Sequence, residues 1–303
     1  MTIKPIRNLK ILTLVENMVG GKSWGSWGLS FLLEFQDASD VPRKILFDTG
    51  GDKNVFMHNV KVFEANINDL DAIVLSHGHW DHAGALVEVS KSTGGVKLYT
   101  HPEAFFSRYH IKVNGKKREI GIHEDQSLDK IEAAGGKVVF STKPIEIVPG
   151  VWTTGEVERN SFERVMELNE GEKLVKIIDG TEADDLILDD QSLWADVEDV
   201  GPIVLVGCAH AGLLNIINQV ARFGSFSKFH GLIGGTHLVR RQDSYIDKTI
   251  EGLRRYNFQL LSPCHCTGFK ATTKLWYSFP NEFYLNYSGR EFEIGQLPEQ
   301  QVF

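Results

Sequence analysis

Apolar residues along this chain fall into short runs rather than one long periodic array. Leu9 to Val15, Leu29 to Phe35, Lys44 to Phe47, Ala72 to Leu75, Val96 to Thr100 and Val138 to Ser141 are rich in β-formers. Each ends in polar or turn chemistry such as Asp48-Thr49-Gly50, a pattern that predicts strands feeding loops. The second half repeats the pattern at Glu146 to Val151, Ile203 to Val206, Leu232 to Ile233 and Leu260 to Leu261. Helices are predicted between them at Asp81 to Ser90, Gly212 to Phe223 and Ser244 to Tyr256. In the last, Tyr245, Ile246, Ile250, Leu253 and Tyr256 recur close to helical period. Strands in runs with helices between predict an α/β chain in which sheet packs on sheet and helices lie outside, an αββα sandwich of four layers. No motif repeats at solenoid or propeller spacing, so residues 1–303 read as a single domain. The acidic stretch Asp179 to Asp199, with Leu186-Ile187-Leu188 inside it, reads as an exposed hairpin.

Composition sharpens this picture in three ways. A hydrophobic content of 42% supports a substantial core, and a net charge of -8 argues against a nucleic-acid surface spread over the protein, so any anion site is local. No stretch approaches the roughly 18 consecutive apolar residues that span a bilayer, and Met1 to Glu16 lacks the form of a signal peptide. Cys208, Cys264 and Cys266 are odd in number and suit reduced thiols, which points to a cytoplasmic protein.

The passage that carries most chemistry is Ile73-Val74-Leu75-Ser76-His77-Gly78-His79-Trp80-Asp81-His82, an apolar strand leading directly into four potential metal ligands. In an extended segment residues two apart project to the same side, so His77 and His79 can grip one ion. Asp81 and His82 are adjacent and diverge, which suits a second ion. Gly78 reads as the site of a tight bend. Imidazole and carboxylate suit Zn²⁺ or a similar ion, Fe and Mn included, and a catalytic site leaves a position open for water. His210 lies where the strand Pro202 to Val206 runs out, and His265 follows Leu260 to Pro263 in the same way, so both read as ligands. His237, in Gly234-Gly235-Thr236-His237, has three readings: a substrate-facing proton donor, a further ligand, or a loop residue satisfied by hydrogen bonds. His58, His101, His110, His123 and His230 have no ligand-like spacing. The three cysteines read as small buried packing residues, because Cys264-His265-Cys266 has no second pair to complete a thiolate zinc site.

His-x-His-x-Asp-His after a strand resembles the signature of the metallo-β-lactamase superfamily. A closer resemblance runs through Trp27-Gly28-Leu29-Ser30, Phe47-Asp48-Thr49-Gly50, Thr154-Gly155-Glu156-Val157-Glu158-Arg159, Gly207-Cys208-Ala209-His210, Gly234-Gly235-Thr236-His237 and Pro263-Cys264-His265-Cys266. It is to the subfamily containing the archaeal dihydropterin synthase-like enzymes of methanopterin biosynthesis and many uncharacterised hydrolase-like members. The resemblance implies the αββα fold with two divalent metals at the edge between the sheets, and His265 as the last ligand, on the side of Asp81 and His82. It also places Arg159 near the mouth, where an arginine fork can bind substrate phosphate or carboxylate. Asp48, in the Asp-Thr-Gly turn, is cast as a residue that orients a ligand histidine or the loop rather than as a direct ligand.

The chain departs from the wider family in one respect: no Gly-Asp on the strand ending at His210 supplies a carboxylate to bridge the metals. One acid, Asp81, and five imidazoles then surround the ions, and the excess positive charge favours an anionic small-molecule substrate such as a phosphate ester. The leading expectation is metal-assisted hydrolysis, with Asp81 positioning the nucleophile and His237 as the other candidate catalytic group. The alternatives are transfer of a pterin-methyl group to an aminobenzene ribose phosphate, and a non-catalytic metal- or ligand-binding protein. Trp24, Trp27 and Trp80 could stack a planar ligand or simply pack under loops.

Overall fold

A computed structural model describes residues 3–165 and 168–295. The chain runs through β1 (Arg7–Val15), β2 (Ser30–Gln36), β3 (Pro42–Phe47), α1 (Lys53–Val62), β4 (Ala72–Val74), α2 (Leu86–Thr93), β5 (Lys97–Thr100), β6 (Arg108–Ile111), β7 (Lys117–Glu119), α3 (Leu128–Ala133) and β8 (Lys137–Phe140). It continues through β9 (Glu146–Val148), β10 (Val151–Thr153), β11 (Lys173–Ile178), β12 (Thr181–Asp184), β13 (Ser192–Val197), β14 (Gly201–Val206), α4 (Leu213–Gly224), β15 (Gly231–Gly235), α5 (Asp243–Arg254), β16 (Leu260–Cys264), α6 (Phe269–Ser278) and β17 (Glu291–Glu293).

Two sheets stack face to face, a seven-stranded one in the order β17-β1-β2-β3-β4-β5-β8 and a six-stranded one in the order β16-β15-β14-β13-β10-β9. Alternation along the strands explains why their sequences are apolar without a polar face. Phe31 and Leu33 of β2, Ile45 and Phe47 of β3, and Ile203 and Leu205 of β14 point into the core between the sheets. Leu32 and Leu46 point outward into the layer of α1 and α2, and Val204 and Val206 into the layer of α4, α5 and α6. Both faces of each central strand are therefore buried, which makes the runs continuous. This is the predicted αββα architecture.

A third, four-stranded sheet, β12-β11-β6-β7, was not expected. It corrects the reading of Asp179 to Asp199. Only Thr181–Asp184 belongs to an exposed strand; Ser192–Val197 is a buried central strand, and Asp185, Asp189 and Asp190 are buried in the turn between. Two boundaries also move. The run Glu146 to Val151 breaks at Gly150, whose φ of 91° suits glycine, into the hairpin of β9 and β10. The helix after the histidine cluster begins at Leu86 rather than Asp81.

The topology gathers the chemistry at one edge. β3 pairs parallel to β4 in the first sheet, and β14, β15 and β16 are mutually parallel neighbours in the second. Their carboxyl ends open into Asp48, His77, His210, His237 and His265 on a common side, where parallel sheets place their ligand crevices. Among the described residues no helix is long and apolar enough to cross a membrane.

Candidate metal centre

Two triads of donors face each other at this edge. The ligand atoms of His77, His79 and His210 lie within 4.8 Å of one another, as do those of Asp81, His82 and His265. Cys208 stands between them: its Sγ is 3.2 Å from Nε2 of His82, and it forms equally close groups with His77 and His82, with His210 and His237, and with His265 and Cys266. The cysteines are buried, as expected of packing residues, but Cys208 and Cys266 also belong to the site. A thiol thus stands at the middle of the donor set. Cys208 follows β14 by the same strand-end logic that singled out His210, which is the signal that could have found it.

Buried nitrogens without hydrogen bonds test whether this set fits metal ions. Nε2 of His79 and both ring nitrogens of His210 are buried and have no hydrogen-bond partner among the described residues, and Nε2 of His265 lies 3.4 Å from the Asp81 carboxylate. An unpaired buried donor or acceptor ordinarily costs about 1–3 kcal/mol, so their convergence is intelligible if they hold cations. Imidazole, carboxylate and thiolate suit Zn²⁺ and other borderline divalent ions. Burial and the neighbouring imidazoles hold His77 far below the usual histidine range, and burial with the nearby Arg108 brings His79 down to about 3. Both rings are neutral at physiological pH, the form in which imidazole ligates.

The surrounding residues fix how each ring points. Asp48 accepts Ser76 N–H at 2.7 Å and Ser76 Oγ–H at 2.7 Å, and lies 2.6 Å from Nδ1 of His82. With its Nδ1 proton on Asp48, His82 presents Nε2 to the centre. Burial opposes protonation of His82, but the Asp48 carboxylate outweighs it and raises the ring to about 9 in the metal-free protein. Burial likewise opposes ionisation of Asp81, yet the contact with His265 and the charge of His82 hold its carboxyl below the usual range. Glu16 accepts His265 N–H at 2.6 Å. Asp48, Ala209, His237 and His265 all have left-handed backbone, with φ of 59°, 56°, 49° and 54°. Such strain in non-glycine residues concentrates at functional sites.

Two adjacent acids that sequence reasoning placed on the surface tie the ligand loops together. Asp189 accepts Gly78 N–H at 2.7 Å and pairs with the fully buried Arg108, also at 2.7 Å. Asp190 accepts Ala211 N–H at 2.8 Å, and its burial pushes it up to about 7. Gly78 is required for a different reason from the bend expected of it: a Cβ there would lie 1.8 Å from the Ala104 carbonyl oxygen.

A cavity of about 450 Å³ opens over the centre. His79, Asp81, His210, His237 and His265 form its floor, and Trp27 and Trp80 line it, whereas Trp24 stacks on His58 at 3.8 Å. The Trp80 ring also lies parallel to His123 at 5.8 Å. His237 has a buried Nδ1 without a partner, and its ring is 4.2 Å from that of His210. Arg159 is not in the lining. Its guanidinium donates to the Ile187 carbonyl at 2.8 Å and is drawn to the buried Asp190, Asp189 and Asp185. The cationic lining comes instead from Arg118, Arg240 and Arg241, and His110, which spacing alone did not single out, also lines the cavity.

A sandwich of this topology with a histidine and aspartate cluster at the strand ends defines the metallo-β-lactamases. The chain belongs to the metallo-β-lactamase superfamily, which its residues 41–171 match. It is 30% identical over 296 residues to 7,8-dihydropterin-6-methyl-4-(β-D-ribofuranosyl)-aminobenzene-5'-phosphate synthase of Methanocaldococcus jannaschii, covering 96% of this chain and 98% of that one. An uncharacterised protein of the same organism is 31% identical over 92% of this chain and 98% of its own length. Among solved structures, a metal-dependent hydrolase of the β-lactamase superfamily superposes with a TM-score of 0.77 at 24% identity, over 94% of this chain and 99% of that one.

Proposed function

We propose that this protein is a metal-dependent hydrolase that uses activated water on an anionic, phosphate-bearing small molecule. In this reading His77, His79 and His210 would hold one ion and Asp81, His82 and His265 the other, with Cys208 close to both triads. The observation that carries it is the convergence of these donors, several with unpartnered buried nitrogens, on the floor of a cavity whose lining is cationic. Two such ions, when bound, would supply Lewis acidity and lower the pKa of water. The carboxylate of Asp81 would orient the attacking water, and His237 would give a proton to the departing oxygen. Its left-handed backbone and the hydrogen bond that its backbone N–H donates to Cys266 Sγ at 3.2 Å hold the His237 ring at the edge of the floor.

The test is turnover of bis(p-nitrophenyl) phosphate and a panel of phosphomonoesters by protein loaded with zinc, manganese or iron. Asp81→Asn is expected to reduce kcat by about 100-fold or more with the fold intact by circular dichroism. Undiminished turnover by that variant would overturn the assignment.

A second reading is favoured by the identity to the archaeal synthase over nearly the full length of both chains. The same centre would then assist departure of pyrophosphate from a pterin-methyl pyrophosphate. The amine of an aminobenzene ribose phosphate would form the new C–N bond and lose a proton. Incubation with both compounds distinguishes the two: a joined product establishes transfer, and hydrolysis without it rejects transfer.

A further inference from the structure

The unexpected four-stranded sheet is the part of the molecule that hydrolytic chemistry does not use, and its placement has a consequence for the substrate. Leu174, His110 and Arg118 are successive cross-strand partners on β11, β6 and β7, so they share one face, and all three line the cavity. The sheet is fastened to the metal-binding loop itself: Trp80 N–H donates to Ile120 O at 3.2 Å, and His79 bridges to Gly121. The backbone that follows Arg118 is thereby tied to that loop. Arg240, also in the lining, belongs to the turn closed by Arg241 N–H to Leu238 O at 3.0 Å, and that turn is bonded through Val239 N–H to Cys266 O at 3.2 Å.

Both arginines are exposed, and neither has a hydrogen-bond or ion-pair partner among the described residues. Arg241 differs, because it donates to the Arg164 carbonyl and packs over the Tyr245 ring at 4.4 Å. Among the described lining residues the sole carboxylate is Asp81, on the floor against His265. Leu174, Ile120, Val239 and Trp80 give the lining its apolar share, and His110 stands between Leu174 and Arg118. In a chain of net charge -8, two unpartnered guanidinium forks facing one apolar-walled cavity are a local concentration of positive charge suited to a phosphate.

We infer that Arg118 and Arg240 form a second anion subsite at the cavity mouth, and that the substrate carries two anionic groups joined by an uncharged segment. One group reaches the metal centre. The other, a phosphate dianion, is held by the two arginines while the segment between lies against the apolar residues of the lining. The inference rests on the metal-centre reading above, which supplies the inner anion site.

Alkane-α,ω-bisphosphonates with two, four and six methylenes, each compared with the alkylphosphonate of equal length, test it by calorimetric titration of the zinc-loaded protein. At least one bisphosphonate is expected to bind about tenfold tighter than its monophosphonate, the gain of one good charge-assisted contact. In the Arg118→Gln/Arg240→Gln double variant that advantage should fall to about twofold or less. Both side chains are solvent-facing, so folding of the variant is checked simply by its thermal midpoint. Monophosphonate binding without any bisphosphonate preference, or a preference that survives the double substitution, overturns the inference alone. If neither class binds the loaded protein, and His79→Ala changes nothing, the metal-centre reading falls with it.

Discussion

Replacing Asp48 by alanine removes a buried carboxylate that serves both the fold and the candidate centre. Three groups lose their acceptor: Ser76 N–H, Ser76 Oγ–H and the Nδ1 side of His82. In the metal-free protein the carboxylate raises His82 from 6.5 to about 9. A rise of that size corresponds to about 3 kcal/mol, in line with the roughly 3–5 kcal/mol typical of breaking a buried ion pair by removing one partner. The sign follows from which state holds the proton. The folded value lies above the unfolded one, so the stabilisation is fully present below pH 6.5 and is lost as pH rises through about 9. His77, His79 and His210 are kept neutral by burial and oppose this trend in both proteins. Their contribution largely cancels when wild type and variant are compared.

Urea unfolding in the presence of a chelator should therefore show a gap between wild type and Asp48→Ala that is about 3 kcal/mol wider near pH 6 than near pH 10, where only the hydrogen bonds that the carboxylate accepts from Ser76 and from neutral His82 are lost. Zinc affinity, measured by competition with a chromophoric chelator, should fall about 10- to 100-fold, because the His82 ring is no longer held in its ligating orientation. Asp48→Asn keeps the volume and separates the charge from the packing. A gap that is the same at both pH values, or zinc affinity within a factor of two of wild type, would refute the reasoning.

Two further outcomes follow from the site geometry. Cobalt-substituted wild-type protein should show a near-ultraviolet thiolate-to-metal charge-transfer band that Cys208→Ser removes; an unchanged spectrum would show that Cys208 Sγ does not touch the ion. Gly78→Ala sets a Cβ against the Ala104 carbonyl at 1.8 Å, so the loop between His77 and His79 must shift, at about 1–3 kcal/mol. Loss of bound metal should accompany that shift, and a variant with wild-type stability and full metal content would contradict it.

The architecture was legible where burial acts on both faces of a strand. Continuous runs such as Lys44 to Phe47 and Ile203 to Val206 mark strands whose alternate side chains enter two different cores, and they became β3 and β14. The third sheet was invisible for the converse reason. Lys117–Glu119 and Thr181–Asp184 bury little, so their strand character comes from pairing with β6 and β11 rather than from an apolar pattern. The helix α6 escaped notice because Phe269, Trp276 and Tyr277 lie on its exposed side and blur the stripe that faces the core.

The candidate site divides along the same physical line. His77, His79, Asp81 and His82 are read from local spacing because the backbone alone brings them together. His210 and His265 are read from strand ends because parallel strands share an edge. Asp189 and Asp190 obey neither rule: they stand in an acidic run that composition assigns to solvent, and only tertiary contacts make their burial tolerable. Arg108 neutralises Asp189, and the amides of Gly78 and Ala211 supply the hydrogen bonds that water would otherwise give. Those amides belong to the loops bearing His77 and His79 and bearing His210, so one acidic pair sets the spacing of three candidate ligands drawn from two sheets. Such a residue has no signature of its own in the sequence. What marks it is a charge whose burial makes sense only once the loops it joins have been placed.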